Sequence, residues 1–538
     1  MSKYVIGVDV GTGSARAGIF DLSGNMIGRA KRDIQLYNEE PDYYEQSGDE
    51  IWNAVCESVK ESLIRSKVNP GDVLSIGFDA TCSLVAVGES GQGLSVGLHG
   101  DPNRNIIVWM DHRALAQTDQ INSGGHAVLD FVGKKISPEM ETPKLLWLKE
   151  NIPNTYENAA YFFDLTDFLT WKATGSDIRS SCTTACKWTY LAHEMRWDAN
   201  YFKKIGLQEL AERSFRQIGQ VILSPGEPIG QGLTEDAAAQ LGLTVGTAVP
   251  AGLIDAHAGG VGTVGARSQD IDSSAETTMA YVFGTSACTM TTTTNMTLVP
   301  GVWGPYFNAM VPDKWLLEAG QSAAGAAIDH LVKLSPAYDR ARELAEAEQK
   351  GVTQWLSDQV KLKYGDSLSD AAKLAGSIKV VPEFLGNRAP FADPDAKALI
   401  CGLGMDTSID GLLSLYVAGI LGLGYGLKQI LSAQQKAGVK IARIAISGGA
   451  GKDPLIRQLI ADSTAYPVVT PKSEEPVLLG SAILAATAGG AYAGLEAAMS
   501  HMSAFDEVYQ PVQGDLALLH TQGFDAFCVL QSTARALR

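Results

Sequence analysis

The residues best suited to chemistry sit in two short glycine turns. Gly11, Thr12, Gly13 and Ser14 close the apolar run that begins at Tyr4, and Gly284, Thr285 and Ser286 close a similar run that begins at Ala280. A turn of this composition exposes successive backbone N–H groups, and without a Cβ the chain lets a phosphate come close. Asp9 lies two residues before the first turn on the same strand, near the turn mouth, where it could hold Mg2+ directly or through water. An ordinary tight hairpin satisfies the same letters, so the turns alone leave phosphate binding open.

Other nucleotide and metal motifs fail on their own spelling. Gly448-Gly-Ala-Gly-Lys-Asp453 looks like the end of a P-loop, but Asp453 replaces the Ser or Thr and Ile446 replaces the first glycine. Gly260-Val-Gly-Thr-Val-Gly265 satisfies GxGxxG, yet a polar stretch follows where a dinucleotide fold needs a helix. Cys182 and Cys186 lie four apart without a partnering His or Cys pair, which reads as buried small residues rather than metal ligands.

The elements that carry the turns repeat. After the first turn Arg16-Ala-Gly-Ile-Phe20 resumes the apolar pattern, which predicts a β-hairpin, and residues 280–290 follow the same plan of strand, Gly-Thr turn and strand. Duplication is one reading, and chance similarity of two short turns is the other. Between them, residues 265–278 are polar, with Ser268, Gln269, Asp270, Asp272, Ser273 and Ser274, and predict a linker. The expected domains are 1–265 and 279–538. Strand-like residues 73–78 and helix-like periodicity over 51–64 point to an α/β architecture.

Composition sets the wider limits. A chain of 538 residues is too long for one compact core. Hydrophobic residues make up 45% and charged residues only 19%, which favours packed domains over disorder. Lys and Arg total 43 against 60 Asp and Glu, and the net charge of −17 repels nucleic acid and anionic membrane surfaces. Seven cysteines form no dense framework, as expected of a reducing cytoplasm, and the N-terminal stretch containing Asp9 has no signal-peptide core. The uncharged residues 411–427 and 476–495 are expected as buried helices, and the charge-rich and Ala-rich residues 338–374 as solvated surface helices.

Taken in order, these segments resemble the FGGY family of sugar kinases, whose fold is α/β: two duplicated ribonuclease-H-like, actin-like ATPase domains around a central cleft. The resemblance spans almost the whole chain. It is carried by Val8-Asp-Val-Gly-Thr-Gly-Ser-Ala-Arg16, Phe283-Gly-Thr-Ser286, Lys144-Leu-Leu-Trp-Leu-Lys-Glu-Asn151, Pro382-Glu-Phe-Leu-Gly-Asn-Arg-Ala-Pro-Phe-Ala-Asp-Pro394 and the adenosine-type segment Ser447-Gly-Gly-Ala-Gly-Lys-Asp453. Glu141 stands where the family signature has a small residue or proline, and residues 412–426 lack the usual Arg-Ala and acidic residue. Both features are similar to the ribulokinase-like branch, as are Gly77-Phe-Asp-Ala-Thr-Cys-Ser-Leu84 and Trp109-Met-Asp-His-Arg-Ala114, and D-ribulokinases are the closest resemblance.

The resemblance implies ATP-dependent phosphorylation of a pentulose, with D-ribulose first and L-ribulose, ribitol or D-xylulose as alternatives. It makes Asp255 the catalytic base and Asp79, Thr81, Asp111, Lys187 and Glu318 the sugar contacts. It adds Gly325, Asp329, Gly449, Ala450 and Asp453 to the nucleotide site beside the two turns, with ATP and Mg2+ as cofactors. His257, two residues from Asp255 on a helix, faces elsewhere and has a structural role. A sugar and ATP are the expected partners, a homodimer is allowed, and nucleic acid and membrane are not expected. An actin-fold ATPase or a silent sugar sensor would share the fold without phosphotransfer.

Overall fold

A computed structural model describes residues 3–267 and 274–538, so the expected linker residues Ser268, Gln269, Asp270, Asp272 and Ser273 lie outside the described residues. Strand Tyr4–Gly11 is buried along nearly its whole length, because Val5, Ile6, Val8 and Val10 fill both faces of a covered sheet. Gly11 pairs with Ser14, so Thr12 and Gly13 form a two-residue turn and the chain returns as Ser14–Asp21. The first sheet reads, in order, Met26–Asp33, Ser14–Asp21, Tyr4–Gly11, Val73–Ala80 and Leu253–Ile254. Its first three strands are an antiparallel meander, and its last two run parallel to Tyr4–Gly11.

A second sheet follows the same order and the same strand senses with Trp315–Gln321, Ala287–Thr293, Thr278–Phe283, Arg443–Ser447 and Val468–Pro471. Trp303–Phe307 and Phe505–Tyr509 extend its two edges. The likeness of the two Gly-Thr turns therefore extends to two whole sheets.

Each sheet delivers one helix to the centre. Asp255–Val264 follows the last strand of the first sheet, and Pro476–Ala488 follows Val468–Pro471 of the second. Their backbones touch: a Cβ on Gly262 would lie 2.0 Å from the Pro476 carbonyl oxygen, and one on Gly480 would lie 1.9 Å from that of Ala258. Helix Pro476–Ala488 also lies on the first sheet, where a Cβ on Gly7 or Gly77 would meet the carbonyl oxygens of Leu478 and Ser481 at 2.1 and 2.2 Å. The chain thus crosses the division expected at 265 and 279, since Leu478, Ile483, Leu484 and Met499 pack in the core of the first half. Nothing local in those residues announces which sheet they will cover.

Both uncharged stretches are core helices, as expected. Among the described residues Ile409–Lys436 is the one helix long and apolar enough to cross a membrane, and its Leu412, Val417, Ile420 and Leu427 fill the second core. Residues 338–374 carry the helices Tyr338–Ala347 and Val352–Tyr364, whose charged faces are exposed, while Trp355, Leu356 and Val360 are buried.

The glycine contact between the central helices gives a stability test. Gly480→Ala drives a methyl group into backbone that cannot rotate away, and overpacking of this kind costs about 1–3 kcal/mol. Gly13→Ala meets nothing within 4 Å and should stay within about 0.5 kcal/mol, as surface changes do. Thermal unfolding checks both, and a Gly480→Ala protein that melts like the parent would contradict the helix contact.

Candidate active site

Three neighbouring parallel strands end in acids. Asp9 is in register with Asp79, and Asp79 with Leu253, two residues before Asp255. Asp9 and Asp79 are buried, and Asp255 is partly exposed. Arg16 stands opposite Asp9 in the hairpin, forms an ion pair with it, and reaches Glu475 at 3.0 Å. Ser481 donates to Asp79 Oδ2 at 2.5 Å, whereas Asp79 Oδ1 is buried without a partner. Burial raises the pKa of Asp9 against the pull of Arg16. Burial, with added repulsion from Asp9, raises Asp79 well above the usual carboxylate value. The same two causes push Asp255 up to about 7. Desolvated acids facing one arginine, with an oxygen left over, are a donor set that fits a hard divalent cation.

Asp255 is the first residue of its helix; Ile254 occupies the cap position, and Asp255 Oδ1 accepts from the Ala256 amide at 2.7 Å. It does not act as the helix cap. His257 turns away from it, as its spacing predicts, towards Cys186 and Glu318, and burial pulls its pKa down to about 4, leaving it neutral.

The glycines of the turns are explained by neither conformation nor packing. Gly11, Gly13, Gly284 and Gly449 all lack positive φ. A Cβ on Gly11 would meet only the Ser14 carbonyl oxygen at 3.9 Å, one on Gly284 only that of Ser286 at 3.7 Å, and one on Gly13 or Gly449 nothing within 4 Å. What they leave is open space beside the backbone, as close approach of a phosphate requires. The first turn is held from both sides: Gln46 donates to the Thr12 carbonyl oxygen at 2.8 Å, and the Trp109 indole donates to Thr12 Oγ1 at 3.0 Å. Gly325 differs, because its Cβ would lie 2.8 Å from the Gly284 carbonyl oxygen, so packing of its helix against the second turn accounts for it.

A cavity of about 840 Å³ gathers Gly284, Thr285, Gly325, Asp329, Gly449, Ala450 and Asp453, seven of the residues expected at the nucleotide. Ser286 and residues 11–14 do not line it; the latter belong to the opposite hairpin. Asp453 is fully engaged, capping helix Pro454–Thr464 through the Leu455 amide at 2.8 Å while accepting from Ser357 at 2.6 Å and Lys361 at 3.2 Å. Its carboxylate holds the cavity wall together. Thr353, Gln354, Asp358 and Lys361 also line the cavity, which corrects the reading of this stretch as merely solvated. No sequence signal marks them, because a charged helix face facing a cavity spells the same as one facing water.

The expected sugar contacts divide. Asp111 does not present a free oxygen: Oδ1 accepts from the Arg113 amide and Nε, and Oδ2 accepts from Arg113 Nη2 at 2.7 Å and the Tyr44 amide at 2.7 Å. It is a buried anchor, since Arg113 two residues along captures it. Asp79 stands with Asp9 rather than with Asp111. Thr81 is buried against the first hairpin, its amide donating to the Val10 carbonyl and its hydroxyl 3.1 Å from that of Ser83. Lys187 and Glu318 are brought together: both are 7% exposed and within electrostatic range of each other, and Lys187 is also in range of Asp255. Cys288, two residues beyond the second turn, is in range of Asp255 and Glu318, so the second hairpin adjoins the acids of the first sheet. Glu141, the residue that departs from the family signature, is a buried acid 3.5 Å from Lys144 that burial pushes to about 7.

Two matched sheets, each with a glycine turn above a shared helix pair, define an actin-like ATPase fold with a phosphotransfer site. The chain belongs to the FGGY family of carbohydrate kinases: residues 4–262 match the family's N-terminal domain and residues 279–489 its C-terminal domain. It is a sugar kinase, a phosphotransferase with ATP as donor. It is 41% identical to an FGGY carbohydrate kinase domain-containing protein of Xenopus laevis, over 98% of this chain and 96% of that one. It is 38% identical to a D-ribulokinase of Saccharomyces cerevisiae, over 90% of this chain and 72% of the yeast protein. The crystal structure of a xylulose kinase from Brucella ovis shares the fold with a TM-score of 0.82 at 19% identity, over 99% of this chain and all of that one.

The open glycines make a nucleotide test. Gly449→Val should weaken ATP binding by about tenfold or more, each tenfold being 1.4 kcal/mol, while the thermal midpoint holds. Calorimetric titration with ATP checks this, and unchanged affinity would mean that no ligand passes Gly449.

Proposed function

We propose that this kinase phosphorylates a pentulose, D-ribulose to D-ribulose 5-phosphate, with Mg2+ as the metal of its ATP. The observation that carries the reading is Asp255: a carboxylate near neutral pKa, at the head of the central helix, with Lys187 in range on one side and the Asp9 and Asp79 pair on the other. A base poised near the working pH is what proton removal from a sugar hydroxyl asks for. The yeast D-ribulokinase at 38% identity supports D-ribulose as the acceptor.

Lys187 and Glu318 bind sugar hydroxyls as charged donor and acceptor, and fix which hydroxyl meets Asp255. Asp255 takes the proton of that hydroxyl as the hydroxyl oxygen attacks the terminal phosphorus, the bond from that phosphorus to its bridging oxygen breaks, and ADP leaves. The backbone amides of the two turns receive the phosphate oxygens, where charge spreads in a loose transition state. Asp9 and Asp79 would hold Mg2+, which neutralises charge on the phosphates. Arg16 keeps Asp9 on the hairpin and ties it to Glu475 at the start of the second central helix. The cavity lined by Lys361 and Asp329 receives the rest of the nucleotide.

Three results are expected. ATP consumption measured across D-ribulose, L-ribulose, D-xylulose, ribitol and glycerol should be highest with D-ribulose and low without sugar; sugar-independent hydrolysis would contradict the kinase mechanism, and a preference for another polyol would contradict the D-ribulose assignment. Asp255 acts only when ionised, so kcat/KM should rise with pH through about 7 and level off above it. Asp255→Asn should remove that rise and lower kcat by about 10²–10⁴. Near-parental turnover in Asp255→Asn would take the base role from Asp255.

A further inference from the structure

Behind Lys187 and Glu318 lies a cluster that phosphoryl transfer does not use. Cys182 and Cys186 occupy one face of the short helix Ser181–Lys187, and His257 reaches them from helix Asp255–Val264. Their sulfur and nitrogen atoms all lie within 4.8 Å of one another. Cys186 Sγ is 3.8 Å from His257 Nε2, and Glu318 Oε2 is 3.9 Å from the same nitrogen. The sequence shows no metal motif here because the histidine arrives from 71 residues away.

These separations suit one ion. With Zn–S near 2.3 Å and Zn–N near 2.0–2.1 Å, a tetrahedral centre holds its ligand atoms about 3.4–3.8 Å apart. Only small shifts separate the cluster from that geometry. The four side chains are buried, Glu318 being the most exposed at 7%. Glu318 Oε2 has no hydrogen-bond partner, and buried polar atoms rarely stay so without a reason. The Ile254 amide, 3.5 Å from Cys182 Sγ, is placed to support a thiolate.

We propose that Cys182, Cys186 and His257 form a binding site for a thiophilic divalent cation such as Zn2+, with Glu318 as fourth ligand, and that filling it excludes the sugar. Binding replaces two S–H bonds by two metal–sulfur bonds and releases two protons to solvent. The imidazole and carboxylate donate lone pairs, and no electrons are transferred. Two thiolates and one carboxylate exceed the charge of the ion by one, which the neighbouring Lys187 offsets. Mg2+, a hard cation that prefers oxygen, does not compete for such ligands. Exclusion of sugar rests on the proposed role of Glu318 in the kinase reaction, whereas metal binding does not.

The test begins with the full-length chain free of nucleotide and sugar, titrated with Co2+ and followed by thiolate-to-metal charge-transfer absorbance. One ion per chain is expected, with the signal lost in Cys186→Ser and in His257→Ala and kept in Cys401→Ser and Cys528→Ser. Cys186→Ser keeps the Ile254 contact of Cys182 intact, so it should fold and phosphorylate sugar at the parental rate without added metal. Zn2+ should then raise the sugar KM of the parent by tenfold or more with kcat unchanged, and leave Cys186→Ser unaffected. No charge-transfer signal in the parent, or one that survives Cys186→Ser, overturns the site. A signal with an unchanged sugar KM overturns the exclusion of sugar. Absence of any sugar kinase activity would count against the kinase reading while the absorbance titration still decides the site.

Discussion

The site depends on one steric permission: Gly262 and Gly480 let two helices from different sheets meet backbone to backbone. The acids of the first sheet are tied to that joint. Asp255 opens one helix, and Glu475 stands immediately before the other, where it draws Arg16 and with it the hairpin that carries Asp9. Ser481, next to Gly480, donates to Asp79. A side chain on either glycine would part the helices and move all of these groups together. The contact is thus where the two sheets are joined.

Within that frame the dominant cost is electrostatic. Asp9, Asp79 and Asp255 are desolvated beside one another, and their raised pKa values record how poorly the protein alone balances them. A carboxylate whose folded pKa exceeds its unfolded one binds more protons when folded, so stability contributed by the protonated form is lost as pH rises through the raised value. For Asp255 that loss begins in the ordinary carboxylate range and is complete by about 7. A cation held by these acids would relieve the same repulsion and would link its binding to the stability of the empty site. Acids kept in this condition are characteristic of functional sites.

What was legible in the sequence was what is local. The glycine turns and the hairpins around them follow from short runs of apolar and turn residues, the likeness of the two runs left duplication open until the sheets were seen to share an order, and the family resemblance pointed to Asp255, Lys187 and Glu318. What was hidden depends on contacts between distant residues. Residues 476–502 cover the first sheet although they follow the second, and the cavity face of Val352–Tyr364 is spelled like any solvated helix. Cys182 and Cys186 looked like ordinary small residues until His257 was folded against them. Asp111 is a different case: Arg113, two residues away, was visible, and its guanidinium occupies the carboxylate that a sugar would need.

The arrangement is tested most directly by a crystal structure of the chain with D-ribulose and a non-hydrolysable ATP analogue. It should show the nucleotide in the cavity lined by Gly284 and Gly449, its terminal phosphate between residues 11–14 and 284–286, and one sugar hydroxyl within about 2.6–3.2 Å of the Asp255 carboxylate. A sugar bound away from Asp255, or a phosphate chain directed away from the first turn, would contradict it.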